Sequence, residues 1–216
     1  MSDTEVLQVD PNKPAPASLR RAAALIRSGA LVAFPTDTVY GIGCRPDDPK
    51  AVDAVYEAKG RPRRLPLVLF IASVDSLGRY AADLTPELER AARHLWPGPL
   101  TIVARARPDA PAALVSRGTI GLRIPRHSVA LRLVQECGGA LATTSANLSG
   151  GGSTADPQQV LQQLRGRIAL LLDAGRAPAG VESTVVDFTA RPPALLRAGA
   201  IGMDELRAII ARPGKS

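Results

Sequence analysis

Six short segments carry the side chains of this chain that could bind and transform a small polar, phosphorylated ligand. Phe34-Pro35-Thr36-Asp37-Thr38-Val39-Tyr40-Gly41 sets hydroxyls and an acid on a loop fixed by proline and glycine, where the hydroxyls can hydrogen-bond a ligand. A turn in which Thr36 and Asp37 cap their own backbone accounts for the same residues, and on this segment alone that turn is preferred. Lys59-Gly60-Arg61-Pro62-Arg63-Arg64 concentrates cations just ahead of an apolar run. Such a cluster is more often a solvated loop. Here the glycine and proline hold the backbone near a strand end, and Lys59 and Arg61 stand out as groups for a triphosphate, lysine as a point charge and arginine as a bidentate donor.

Thr119-Ile120-Gly121-Leu122-Arg123-Ile124-Pro125 places one arginine among apolar neighbours. A buried guanidinium without a partner is costly, so Arg123 must face either an acid in the core or the carboxylate of a ligand. Thr143-Thr144-Ser145-Ala146-Asn147-Leu148-Ser149, followed by three glycines and Ser153, offers hydroxyls and N–H groups to phosphates. It also reads as a flexible Gly/Ser loop, and with no Gly-Lys-Ser/Thr it is not a Walker A motif. Gly180-Val181-Glu182-Ser183-Thr184-Val185-Val186-Asp187 and Leu195-Leu196-Arg197-Ala198-Gly199 combine short apolar runs with isolated polar residues. The single tryptophan, in Leu95-Trp96-Pro97-Gly98-Pro99-Leu100-Thr101, reads as structural. His94 and His127 lack metal-ligand spacing and read as non-catalytic, and Ser145 has no partners of a hydrolase triad around it.

The elements that must position these groups follow from periodicity. Helical spacing predicts helices over 18–28, 51–58, 128–136 and 204–211; Thr85-Pro86-Glu87 and Asp156-Pro157 have the composition of helix starts. Apolar runs predict strands over 30–34, 65–71, 100–104, 119–124, 140–144, 168–172, 185–188 and 194–197, with a polar loop from Pro35 through Gly43. Helices and strands alternate, which gives an α/β sheet with helices on its faces. In such sheets ligands bind in a crevice along the strand ends, where several of the polar segments fall.

Composition bounds the rest. At 216 residues the chain suits one domain, and with hydrophobic residues at 45% but aromatics at 3% the core must be built from Ala, Val, Leu and Ile. Cys44 and Cys137 show no paired spacing, which argues against a disulfide framework or structural zinc and for a reducing compartment. No secretory pattern and no membrane-length apolar run is read, so a cytoplasmic location and no membrane contact are expected. The net charge of +7 favours polyanions without choosing among nucleotide phosphates, tRNA and a generic basic shell.

In this order, PTDTVYG, KGRP with PL shortly after, WPGPLT, GLRIP, TSANLSG, ESTVVD and LLRAG resemble the YrdC-like threonylcarbamoyl-AMP synthase family over residues 9–206. The resemblance implies a single α/β domain with a twisted sheet and flanking helices around a concave basic cavity, with 1–8 and 207–216 as terminal extensions. It implies a threonine site of Thr36, Arg123, Thr143 and Ser183. It implies ATP contacts from Lys59, Arg61, Thr119, Ser145, Ser153 and Arg197, with Asn147 beside them. Leu65 and Phe70 stand where many relatives have Asn and His.

The implied reaction condenses L-threonine, bicarbonate or CO2, and ATP into threonylcarbamoyl-AMP and pyrophosphate, with Mg2+ accompanying ATP and the metal ligands unassigned. No covalent nucleophile is expected, because charge neutralisation and positioning suffice. The implied partners are ATP, L-threonine, bicarbonate, a downstream threonylcarbamoyl transferase complex that modifies the adenosine next to the tRNA anticodon, and tRNA or double-stranded RNA by direct contact. The competing reading is an RNA-binding paralogue without the reaction. A third is carbamoyl transfer, as in related domains of hydrogenase-maturation proteins.

Overall fold

Alternation of apolar and polar residues along short runs, interrupted by helices with one apolar face, folds into one sheet between two helical layers. The computed structural model describes residues 3–211. Its strands are β1 (Glu5–Gln8), β2 (Val32–Phe34), β3 (Gly41–Cys44), β4 (Val68–Ile71), β5 (Leu100–Arg105), β6 (Thr119–Arg123), β7 (Ala140–Ser145), β8 (Leu170–Asp173), β9 (Thr184–Asp187) and β10 (Ala194–Arg197). The helices are α1 (Pro16–Arg27), α2 (Pro49–Lys59), α3 (Pro86–Leu95), α4 (Ser128–Glu136), α5 (Pro157–Leu164) and α6 (Met203–Ile210).

All ten strands share one sheet in the order β1-β8-β2-β3-β7-β4-β6-β5-β9-β10. The pairs β1·β8, β8·β2, β4·β6 and β5·β9 are parallel, and the others antiparallel.

Because side chains alternate across a strand, each strand feeds both faces. Leu69, Ile71, Leu100, Ile102, Ile120, Leu122 and Ala142 point to one face and form a core with α2, α3, α5 and α6. Phe34, Phe70, Leu141, Leu170 and Leu172 point to the other, where α1 and α4 cover them. These two helices leave the β4, β6, β5 and β9 part of that face open.

Capping follows the sequence where it is legible. Thr85 accepts from the Leu88 N–H at 3.3 Å and Asp156 from the Gln158 N–H at 2.9 Å, each followed by proline in the first turn. Asp48 and His127 cap α2 and α4 in the same way, which the sequence reading did not assign.

Three boundaries differ from the expectations. The loop predicted through Gly43 contains β3, because Gly41 and Gly43 weaken the strand pattern in sequence. Gly43 is required by packing: a Cβ there would lie 2.8 Å from both the Phe34 ring and Leu141. The strand predicted from Leu65 begins at Val68, since Leu65 and Pro66 turn over the rim of the open face. Glu5–Gln8, read as part of a terminal extension, is an edge strand in register with β8. At the other end, α6 packs Leu206 and Ile209 into the core and contacts α3. Residues 1–2 and 212–216 of the two extensions lie outside the described residues. Among the described residues no helix is long and apolar enough to cross a membrane.

Candidate active site

The open part of the sheet face is the floor of a cavity of about 620 Å³. Its floor residues alternate along each strand: Val68 and Phe70 on β4, Thr101 and Val103 on β5, Thr119, Gly121 and Arg123 on β6, Thr143 and Ser145 on β7, Val185 and Asp187 on β9. Cross-strand register joins Thr143, Val68, Gly121, Val103 and Asp187 into one row. Gly121 has no side chain where Val68 and Thr101 approach, so the middle of the row stays low. The site therefore spreads across a sheet face, whereas a crevice along strand ends was expected. The expectation lacked the two-residue period of the polar positions, which assigns them to a face.

Arg123 is the most buried cation on this floor, 4% exposed. Its Nη2 pairs with Asp37 Oδ1 at 2.7 Å, its Nη1 donates to Thr38 Oγ1 at 3.1 Å, and its Nε donates to the Gly98 carbonyl at 3.0 Å. Its guanidinium carbon lies 5.5 Å from the centre of the Phe70 ring. Burial pulls the Arg123 pKa below its usual value and Asp37 opposes that shift; a guanidinium starts so high that the group stays cationic. Of the two partners left open by the sequence, the protein supplies the acid. Three of the guanidinium's five N–H donors are used in these bonds, leaving one on each terminal nitrogen for a further acceptor.

Thr36 forms the expected self-capping turn, whereas Asp37, expected to cap its own backbone as well, spends Oδ1 on Arg123 and leaves Oδ2 without a partner. Thr36 Oγ1 donates to the Val39 carbonyl at 2.7 Å, accepts from the Thr38 N–H at 3.1 Å and lies 2.9 Å from Thr38 Oγ1. Its hydroxyl has no donor to spare. The chain of hydroxyls runs on to Arg123, so the same turn helps hold the guanidinium.

Other expected site residues gather around the cavity. Thr36, Arg61, Thr119, Arg123, Thr143, Ser145, Ser183 and Arg197 line it. Thr143 Oγ1 donates to the Val68 carbonyl, Thr119 Oγ1 to that of Ser116, and Ser183 Oγ lies 2.8 Å from Thr101 Oγ1. Arg61 leans over the rim, with Nε and Nη2 on the carbonyls of Leu65 and Pro66. Arg197 is fixed by the Ser183 carbonyl, the Ser183 hydroxyl and the Glu182 carboxylate. Ser153 donates to the other oxygen of Glu182.

Lys59 and Asn147 stand behind the floor. Lys59, 2% exposed at the end of α2, donates from Nζ to the carbonyls of Ser145 and Asn147 and reaches Asn147 Oδ1 at 3.4 Å. Ser145 donates to the same Oδ1 at 2.6 Å. The lysine thus anchors the loop after β7; burial lowers its pKa to about 8. Gly60, with φ of 58°, then ends the helix in a conformation that favours glycine.

Four residues lie in segments the sequence singles out, but their partners are not legible there. Asp37, Gly98 and Thr38 hold Arg123, and Glu182 faces Arg197. Each acts on a residue in another segment, so nothing local marks the pairing. Arg117, with φ of 50°, and Gly118, with φ of 76°, form the turn between mutually bonded Ser116 and Thr119 and bring a further cation to the rim. Paired positive-φ residues are the signature of a tight hairpin turn. Four arginines and two carboxylates, Glu182 and Asp187, line the cavity.

A family model described as Sua5_yciO_yrdC, Telomere recombination, matches residues 24–199. The threonylcarbamoyl-AMP synthase of Pyrococcus abyssi is 41% identical over 193 residues, covering 89% of this chain and 57% of that protein. A putative threonylcarbamoyl-AMP synthase of Mycobacterium tuberculosis is 36% identical over 190 residues, covering 88% of this chain and 87% of that protein. The crystal structure of P. abyssi Sua5 complexed with L-threonine has a TM-score of 0.92 at 39% identity, over 96% of this chain and 61% of that one. This chain spans a little over half the length of the P. abyssi synthase.

Proposed function

The chain belongs to the Sua5/YciO/YrdC family, and on that premise we propose that it is a threonylcarbamoyl-AMP synthase. The observation that carries the reading is Arg123, held by Asp37, Thr38 and Gly98 with one N–H left on each terminal nitrogen, on a cavity floor of hydroxyls with Arg61 and Arg197 at its rim. A relative with the same fold binds L-threonine.

Arg123 takes the threonine carboxylate. Thr143 and Ser183 orient its amine and hydroxyl, and Thr36 contributes backbone and shape, its own hydroxyl being engaged. The amine adds to CO2, or to bicarbonate with loss of water, and gives up a proton to form a carbamate. A carbamate oxygen attacks the α-phosphorus of ATP, the bond to the bridging oxygen of the β-phosphate breaks, and pyrophosphate leaves with that electron pair. Arg61, Arg197, Ser145, Ser153 and Thr119 hold the phosphates, while Lys59 and Asn147 act one step back by fixing the loop that presents Ser145. The cavity floor thus works by positioning and charge neutralisation.

Mg2+ fits this donor set. An ion held chiefly by phosphate oxygens and water needs few protein ligands. Glu182 and Asp187 are the cavity carboxylates that would complete its shell. When bound, it neutralises charge developing on the leaving pyrophosphate. The product serves transfer of the threonylcarbamoyl group to the adenosine next to the tRNA anticodon by a separate transferase complex. An RNA-binding role alone has no use for spare guanidinium donors on a cavity floor lined by hydroxyls.

Titration of L-threonine and of ATP into wild-type protein and Arg123→Ala tests the assignment. The substitution abolishes or weakens threonine binding by more than about tenfold, since a charge-assisted pair is lost, and leaves ATP binding within about twofold. Equal losses for both ligands would contradict it.

A further inference from the structure

Glu182 accepts from two side chains at the cavity wall. One carboxylate oxygen takes the hydroxyl proton of Ser153, from the end of the glycine-rich loop, and the other pairs with Arg197 Nη1 on β10. Both donors are residues assigned above to the triphosphate. Glu182 itself lines the cavity and is part-exposed, its side chain 31% accessible. Arg197 otherwise spends Nε and Nη2 on Ser183, so the nitrogen aimed elsewhere is the one that Glu182 occupies.

A carboxylate and a phosphate present the same kind of oxygen to the same donors. We propose that Glu182 is a positioning residue that stands in for phosphate: it holds Ser153 and Arg197 in their nucleotide-binding arrangement and must hand both donors over when the triphosphate arrives. This rests on the synthase reading only in its phosphate half.

Two consequences follow. Before the exchange, Glu182 joins the loop after β7 to the β9–β10 hairpin, elements whose residues 153 and 197 are far apart in sequence. After it, the displaced carboxylate lies beside the phosphates, and its negative charge opposes a bare polyanion. The cavity therefore discriminates against metal-free phosphates.

The test is binding of inorganic pyrophosphate to the intact protein in the presence of a metal chelator, compared between wild type and Glu182→Gln. Glutamine keeps the size and one acceptor oxygen but removes the charge. Glu182→Gln is expected to bind pyrophosphate about tenfold more tightly, as expected for loss of one like charge at a partly solvated site. Adding Mg2+ is expected to improve pyrophosphate binding more in wild type than in the variant. A thermal melt confirms that the variant is folded, and a part-exposed side chain makes that the expected result.

Equal or weaker binding by Glu182→Gln overturns the proposal while leaving the synthase reading intact, because that reading is judged by threonine-dependent turnover. Absence of pyrophosphate binding in both proteins overturns the phosphate site and this proposal together. A purely structural Glu182 would lower stability without raising anion affinity.

Discussion

Arg123 and Asp37 pair at 2.7 Å with side chains 5% and 9% exposed, and they come from segments 86 residues apart. The second oxygen of Asp37 is buried without a hydrogen-bond partner. Each buried charge is tolerated because the other is present. Asp37→Asn should lower stability by roughly 3 kcal/mol, by leaving the guanidinium without its counter-charge. In a cycle with Arg123→Met, the double variant should cost clearly less than the sum of the singles, by about 2 kcal/mol. Urea unfolding of the four proteins measures this, and additive losses would show that the two groups do not depend on each other.

Gly199 lies so close to the hairpin that a Cβ would fall 2.4 Å from the Glu182 carbonyl oxygen and 2.5 Å from the Thr184 nitrogen. These are backbone atoms and cannot rotate aside. Gly199→Ala should push β9 and the Arg197 segment apart, costing about 2 kcal/mol of stability and at least tenfold in ATP affinity. Gly202→Ser is the control: open space surrounds that position, it caps α6, and a hydroxyl there suits a helix start. It should leave both quantities unchanged or slightly improved.

Lys59 supplies a pH signature. Burial lowers its pKa to about 8 from the ordinary 10.5. Between these values the unfolded chain holds a proton that the folded one has released, so the lysine's contribution makes stability rise with pH across that window. Relative to Lys59→Met, wild type should gain about 2 kcal/mol between pH 7.5 and 9.5. Nucleotide binding should fall over the same range, because a neutral amine holds the Ser145 and Asn147 carbonyls less strongly. A parallel pH dependence in the two proteins would contradict the assignment.

Much of the frame was legible because its signals are local. Thr85-Pro86 and Asp156-Pro157 marked helix starts by capping chemistry that acts within one turn. The apolar runs marked strands by their own composition. The isolated Arg123 announced that it needed an anion, yet the choice between acid and ligand depended on Asp37, which only the sheet brings near. Lys59 suggested phosphate by composition, but α2 delivers it to the back of the loop after β7. Phe70, where the family resemblance pointed to a lost polar contact, lies against the Arg123 guanidinium and edge-on to Phe34, with ring centres 6.4 Å apart. A face of the cation is thereby covered by an aromatic ring, a contact worth about 1 kcal/mol.

The cavity's position was also written in the sequence, as polar or small residues at every second position in Thr119, Gly121 and Arg123, and as Ser183 and Asp187 on either side of Val185. That period is short and broken between strands, so it becomes readable only once the register aligns it.

The proposed reaction is a threonine-dependent transfer at the α-phosphorus of ATP. The most direct measurement is pyrophosphate release from ATP by the purified chain, with L-threonine, bicarbonate and Mg2+ omitted in turn and the nucleotide product identified by mass. Release should require all three, and the product should carry threonine, one carbon from bicarbonate and AMP. Release that continues at the same rate without threonine, or a product that is AMP alone, would contradict the account.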